Sequence, residues 1–90
     1  MLESQIERAV CKHAKSTGWL VFKFVSPSHN GVPDRIFLKN GITIFVEFKR
    51  PGGKLSPLQI HVIGQLRNAG FDVHVIDDIP TGKEIFNGQD

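Results

Sequence analysis

The stretch that decides the fold is Asp34-Arg35-Ile36-Phe37-Leu38-Lys39-Asn40-Gly41-Ile42-Thr43-Ile44-Phe45-Val46-Glu47-Phe48-Lys49. Two runs rich in β-branched and aromatic residues flank an Asn-Gly pair. Both turn residues tolerate positive φ, as the type I′ turn of a two-residue hairpin requires. With Asn40 and Gly41 in the turn, the register is fixed: Lys39 faces Ile42, and the numbers of each facing pair sum to 81. Asp34 and Glu47 form such a pair, with Cβ atoms expected about 4.5–5.5 Å apart. Side chains alternate along a strand. Thr43, Phe45, Glu47 and Lys49 therefore share one face, and Ile42, Ile44, Val46 and Phe48 form an apolar face expected to be the core.

Like charges directly opposite on a sheet destabilise it. Two adjacent carboxylates become favourable when a hard divalent cation lies between them, because Mg²⁺ and Mn²⁺ take oxygen ligands. The other resolution is a shared proton and a raised pKa. Lys49 brings an amine to the same face. Two acids and one lysine at the end of a hairpin are the parts that metal-assisted phosphodiester hydrolysis uses: charge to polarise the phosphate, an activated water, and a cation for developing charge. Taken singly, Asp34 reads as a loop-exit residue and Glu47–Lys49 as a surface ion pair. The register that brings all three together favours a site.

Outward from the hairpin, residues 4–17 carry Ile6, Ala9, Val10, His13 and Ala14 at helical spacing. Ser4 and Glu7 match a capping box, and Gly18 is placed to end the helix. Residues 19–25 read as a mostly buried strand, residues 26–33 as a loop, and Pro51-Gly52-Gly53 stops the second hairpin strand. Ser56-Pro57 opens a second helix running to about residue 69, with a stripe of Leu58, Val62, Ile63, Leu66 and Ala69. Residues 71–76 read as a fourth strand, and the last fourteen residues are weakly patterned, with a short helical turn near 83–86. The order is α-β-β-β-α-β, an α/β class, in one domain over residues 1–90.

Composition narrows the classes. Ninety residues, 40% hydrophobic and 22% charged, suit one small compact domain and not a disordered chain. A lone cysteine, Cys11, excludes an intramolecular disulfide framework and a thiol-rich zinc cluster. No apolar run is long enough to span a bilayer, and Glu3 and Glu7 stand where a signal peptide would be basic. A cytoplasmic protein with no membrane contact is expected.

Two polar residues have dual readings. Glu7 completes the capping box, yet it flanks the apolar stripe and would reach the hairpin carboxylates if this helix packs on the sheet. Gln59 completes a second capping box with Ser56, yet it falls inside an apolar stripe and needs a partner there. The four histidines show no ligand spacing. His13 reads as a core-edge residue, and His29 as a loop residue just ahead of the proposed site.

Gly31-Val32-Pro33-Asp34-Arg35 followed by Val46-Glu47-Phe48-Lys49-Arg50 resembles the bipartite PD-(D/E)xK nuclease pattern. The wider context, Phe24-Val25-Ser26-Pro27, Pro51-Gly52-Gly53 and Leu55-Ser56-Pro57-Leu58-Gln59, is similar to the virus-type replication-repair nuclease (VRR-NUC) group. The resemblance implies a restriction-endonuclease-like core, a mixed sheet flanked by helices. It implies Mg²⁺ or Mn²⁺ held by Asp34, Glu47 and the Phe48 carbonyl, with Glu7 as the helical glutamate of related junction-resolvase folds. Lys49 would be the catalytic lysine and Gln59 the glutamine of the following helix. Arg35, Arg50, Lys54, His29 and Ser26 are expected to touch nucleic acid. A stand-alone domain of this type resembles phage and bacterial members, which implies a homodimer acting on branched DNA, such as a Holliday junction, in a bacterial or phage-infected cytoplasm. Ile60, Ile79, Ile85 and Phe86, with no evident place in so small a core, are candidates for a partner surface or for caps on its open end.

The competing reading is a non-catalytic nucleic-acid-binding or assembly module on the same fold; such a module would commonly lack one of Asp34, Glu47 or Lys49. The net charge of +2 understates the basic surface, because ten basic residues face five acids through Ile76. On the nuclease reading, Asp34→Ala is expected to leave metal-free stability unchanged or raised while abolishing cleavage.

Overall fold

The computed structural model describes residues 1–87. Helix α1 (Glu3–Ser16) is followed by strands β1 (Leu20–Lys23), β2 (Arg35–Lys39) and β3 (Ile42–Phe48). Helix α2 (Pro57–Asn68), strand β4 (Asp72–Ile76) and helix α3 (Ile79–Ile85) complete it. The strands form one mixed sheet in the order β1-β2-β3-β4, with β3 and β4 parallel and the other pairs antiparallel.

The hairpin has the register read from Asn-Gly. Asn40 and Gly41 take φ of 49° and 80°, and the pairs run from Lys39↔Ile42 to Arg35↔Val46. Asp34 stands one residue before β2, and its main-chain carbonyl still accepts from the Phe24 N–H at 3.0 Å.

Both faces of the sheet are covered, which corrects the expectation of a single core face. On one side α1 and α3 pack Ile6, Val10, Ala14 and Phe86 against Phe37, Ile44, Val46 and Phe48. On the other, Ile63 of α2 packs on Phe45 and Val73, so Phe45 is buried too. The crossover from β3 to β4 through α2 forces this: a helical connection between parallel strands must lie on one face of the sheet.

The first strand is shorter and more exposed than expected. Leu20 and Phe22, at 59% and 52% exposure, sit on the α2 side of an edge strand. Their row, Phe22–Ile36–Phe45–Val73, crosses the whole sheet, but α2 lies toward the β4 end of it. The first helix also begins earlier than its capping pattern suggested. Gln5, not Glu7, closes the first turn, its Oε1 accepting from the Leu2 N–H at 2.7 Å, so Glu7 has no capping role.

Residues 79–87 belong to the core, and the short helical turn expected near 83–86 is a longer helix, α3, that begins at Ile79. Phe86 stacks on Phe37 with centroids 4.2 Å apart and meets Trp19 edge-on at 5.2 Å. Ile79 and Ile85 pack against the same cluster, so they take the capping role and not that of a partner surface. Thr17 Oγ1 donates to the Phe86 carbonyl at 3.1 Å, and His13 Nε2 lies 2.6 Å from Asn87 Oδ1. Among the described residues no helix is long and apolar enough to cross a membrane.

Removing the buried ring of Phe86 leaves a cavity beside two aromatic neighbours. Phe86→Ala is expected to lower the unfolding free energy by about 3–5 kcal/mol in urea titration; a loss below about 1 kcal/mol would show that α3 only rests on the core.

A candidate active site at the end of the hairpin

Glu47 is the buried charged residue of the described chain, 3% exposed on the α2 side of β3. Its carboxylate has two protein partners. Gln59 Nε2 donates to Oε2 at 3.0 Å, and Lys49 Nζ stands 3.5 Å from the same oxygen. Gln59 also caps α2: its N–H donates to Ser56 Oγ at 3.1 Å, and its Oε1 accepts from the Ser56 N–H at 2.9 Å. The two readings of Gln59 are therefore one structure. The cap fixes the amide oxygen, which leaves the amide NH₂ aimed at Glu47.

Asp34 is held by a contact the sequence did not reveal. Its Oδ2 accepts from the Phe48 N–H at 2.8 Å, extending the hairpin past its last ladder pair by a side chain. Asp34→Ala is thus not neutral without metal, because it orphans a main-chain donor at a cost of about 1–3 kcal/mol. The loop ahead of it is pinned as well. Gly31 has φ of 82°, and a Cβ there would meet Leu58 Cγ at 2.9 Å, so only glycine lets the loop approach α2 so closely. Pro33 behind it is buried.

The electrostatics follow from this crowding. Burial first, then the neighbouring Asp34 charge, push the Glu47 carboxyl up to about 7, against the opposing pull of Lys49. Burial also raises Asp34, opposed by the Phe48 hydrogen bond and reinforced by the charges of Glu7 and Glu3. Two carboxylates that both resist ionisation lack positive charge, and one lysine does not supply enough. Their oxygens are a hard donor set that fits a divalent cation. Among the described residues no three or more His, Cys, Asp or Glu side chains converge. Further ligands would therefore come from the main chain, such as the Phe48 carbonyl, or from water.

The remaining candidates are spread around the pair. Glu7 is engaged by Arg35, whose Nε donates to its Oε2 at 2.7 Å on the α1 side of the sheet. Arg35 is paired with Val46 and so points to the face opposite Glu47. Arg50 and Lys54 are exposed and, with Lys49, line a recess of about 400 Å³ beside Met1, Leu2 and Glu3. Ser26 and His29 form a turn, the His29 N–H donating to the Ser26 carbonyl at 3.2 Å, and among the described residues neither hydrogen-bonds to the carboxylates. Cys11 is buried, and burial raises its thiol, which suits a packing role.

A family model for the VRR-NUC domain matches residues 2–77. The chain belongs to the VRR-NUC family. It is 42% identical over 76 residues to a protein of Acyrthosiphon pisum secondary endosymbiont phage 1 that bears the name "Putative nuclease p44", covering 83% of this chain and 82% of that one. A solved VRR_NUC domain superposes with a TM-score of 0.87 at 23% identity, over 98% of this chain and 97% of the other, and shares its fold. The VRR-NUC chain is thus a nuclease-family protein whose substrate is nucleic acid.

Because Glu47 has a folded-state pKa above its unfolded value, its contribution to stability is full below about pH 4.5 and is lost as pH rises towards about 7. Metal-free protein is therefore expected to lose stability across that window. Glu47→Gln, which keeps the Gln59 contact, should flatten the loss and stabilise the metal-free protein at pH 8 by about 2 kcal/mol. Equal slopes for the two proteins would contradict this electrostatic picture.

Proposed function

We propose that this chain is a Mg²⁺- or Mn²⁺-dependent, structure-selective DNA endonuclease that hydrolyses phosphodiester bonds, in the manner of a junction resolvase. The single observation that carries the reading is the buried Glu47, flanked by Lys49 and Gln59 and paired in sequence register with Asp34. A carboxylate costs several kcal/mol to bury without compensation, so its retention beside a second acid argues for use.

Asp34, Glu47 and the Phe48 carbonyl would hold the ion. The ion, when bound, supplies charge that polarises the phosphate and lowers the pKa of water. Gln59 fixes the Glu47 carboxylate from one side, and the Phe48 N–H fixes Asp34, so neither acid has to be ordered when substrate arrives. Lys49, with its side chain mostly shielded from solvent, places a cation next to the reacting phosphate, where it orients the attacking water and offsets charge that develops in the transition state. Arg50 and Lys54, beside it, would hold the phosphates that flank the cleaved bond.

A homodimer in the bacterial or phage-infected cytoplasm belongs to the same proposal. Its support is the exposure of Leu20, Phe22 and Ile60, while Ile79, Ile85 and Phe86 are used within the chain.

Cleavage of a panel of four-way, flap, nicked and linear DNAs with Mg²⁺, Mn²⁺ or chelator tests the reading. Metal-dependent cutting that favours branched DNA is expected. Asp34→Asn, Glu47→Gln and Lys49→Ala should each reduce it about 100-fold or more while the proteins stay folded. Binding without cleavage under every condition would favour the non-catalytic module, and undiminished cleavage by Lys49→Ala would overturn the role given to that lysine.

A further inference from the structure

Helix α1 carries a charge pattern that the hairpin site does not use. Arg8, Lys12 and Lys15 recur at helical spacing on its exposed side. They line a recess of about 440 Å³ whose floor is Cys11 and the Arg35–Glu7 pair. Like charges three and four residues apart destabilise a helix, and among the described residues none of the three is paired with an acid. Glu7, the one acid in the recess, is already taken by Arg35. That contact uses Nε, which leaves the terminal nitrogens of the guanidinium available to a further acceptor.

The recess continues the basic surface of the site. The hollow containing Lys49, Arg50 and Lys54 is closed by Met1, Leu2 and Glu3, and the α1 recess begins at Ser4. The two lie on either side of the same N-terminal turn, with seven basic residues and two acids between them. Arg35 also directly follows Asp34 in the chain while facing the α1 side.

We propose that Arg8, Lys12 and Lys15 form a phosphate-backbone track that holds an arm of double-stranded DNA beyond the cleavage site, with Arg35 at its inner end. A helix rises 1.5 Å per residue, so the row spans about 10 Å. Each DNA strand carries one charge per about 3.4 Å of helix axis, so the row matches about three phosphates. The track reads no bases. It sets how far the DNA must extend from the cut and in which direction. The inference rests on the nuclease reading.

Binding of a labelled duplex and a four-way junction, measured by fluorescence anisotropy in chelator between about 50 and 200 mM salt, tests it with the full chain. The triple variant Arg8→Gln, Lys12→Gln, Lys15→Gln is expected to lower the slope of log affinity against log salt by about 2 to 3. A companion variant, Lys12→Arg with Lys15→Arg, keeps the charge and should keep the wild-type slope, and circular dichroism checks that both proteins fold. An unchanged slope in the folded triple variant, with wild type still cutting DNA, would overturn the track and leave the nuclease reading standing. Loss of adsorption to anionic phospholipid vesicles without any change in DNA binding would also overturn it, assigning the row to membranes. Wild type that neither binds nor cuts DNA would remove both.

Discussion

One carboxylate, Glu47, is buried on the inner face of a central strand beside a second acid, and the surrounding structure is arranged to hold it there. Placing that charge in a shielded position costs free energy unless other groups compensate it. Lys49 and Gln59 supply part of the compensation, and both come from elements whose positions depend on the hairpin and the crossover helix. The Ser56 cap fixes Gln59, Gly31 lets the Asp34 loop pack on α2, and the Phe48 N–H anchors Asp34 itself. The residual deficit is visible in the raised pKa values of both acids. The chain that bears this cost in its central strand belongs to a nuclease family.

Much of the site was legible because β geometry is periodic. Asn40-Gly41 fixed the turn, the turn fixed the register, and alternation placed Glu47 and Lys49 on one face. Gln59 was legible as a polar residue in an apolar stripe, and both of its readings hold at once. The family resemblance extended the reading to a mixed sheet flanked by helices, which the superposition on a solved VRR_NUC domain supports.

What could not be read depended on contacts distant in sequence. Phe45 is as buried as its neighbours because α2 returns over it, a consequence of the parallel β3–β4 pairing that no local pattern encodes. Leu20 and Phe22 carry strand-like apolar character but lie at an edge, where one face is uncovered. Phe86 looked surplus because its partners, Phe37 and Trp19, are far away in the chain. The Ser4–Glu7 capping pattern is not used: the helix starts one residue earlier, Gln5 accepts from the Leu2 N–H, and Glu7 binds Arg35 instead.

The central claim is that Asp34 and Glu47 form a pair built for a divalent cation. Isothermal titration of Mn²⁺ into wild-type protein and into Glu47→Gln measures it most directly, without reference to any substrate. Saturable binding by the wild type, lost in the variant, is the predicted result. Equal binding by both proteins, or none by the wild type, would contradict the claim.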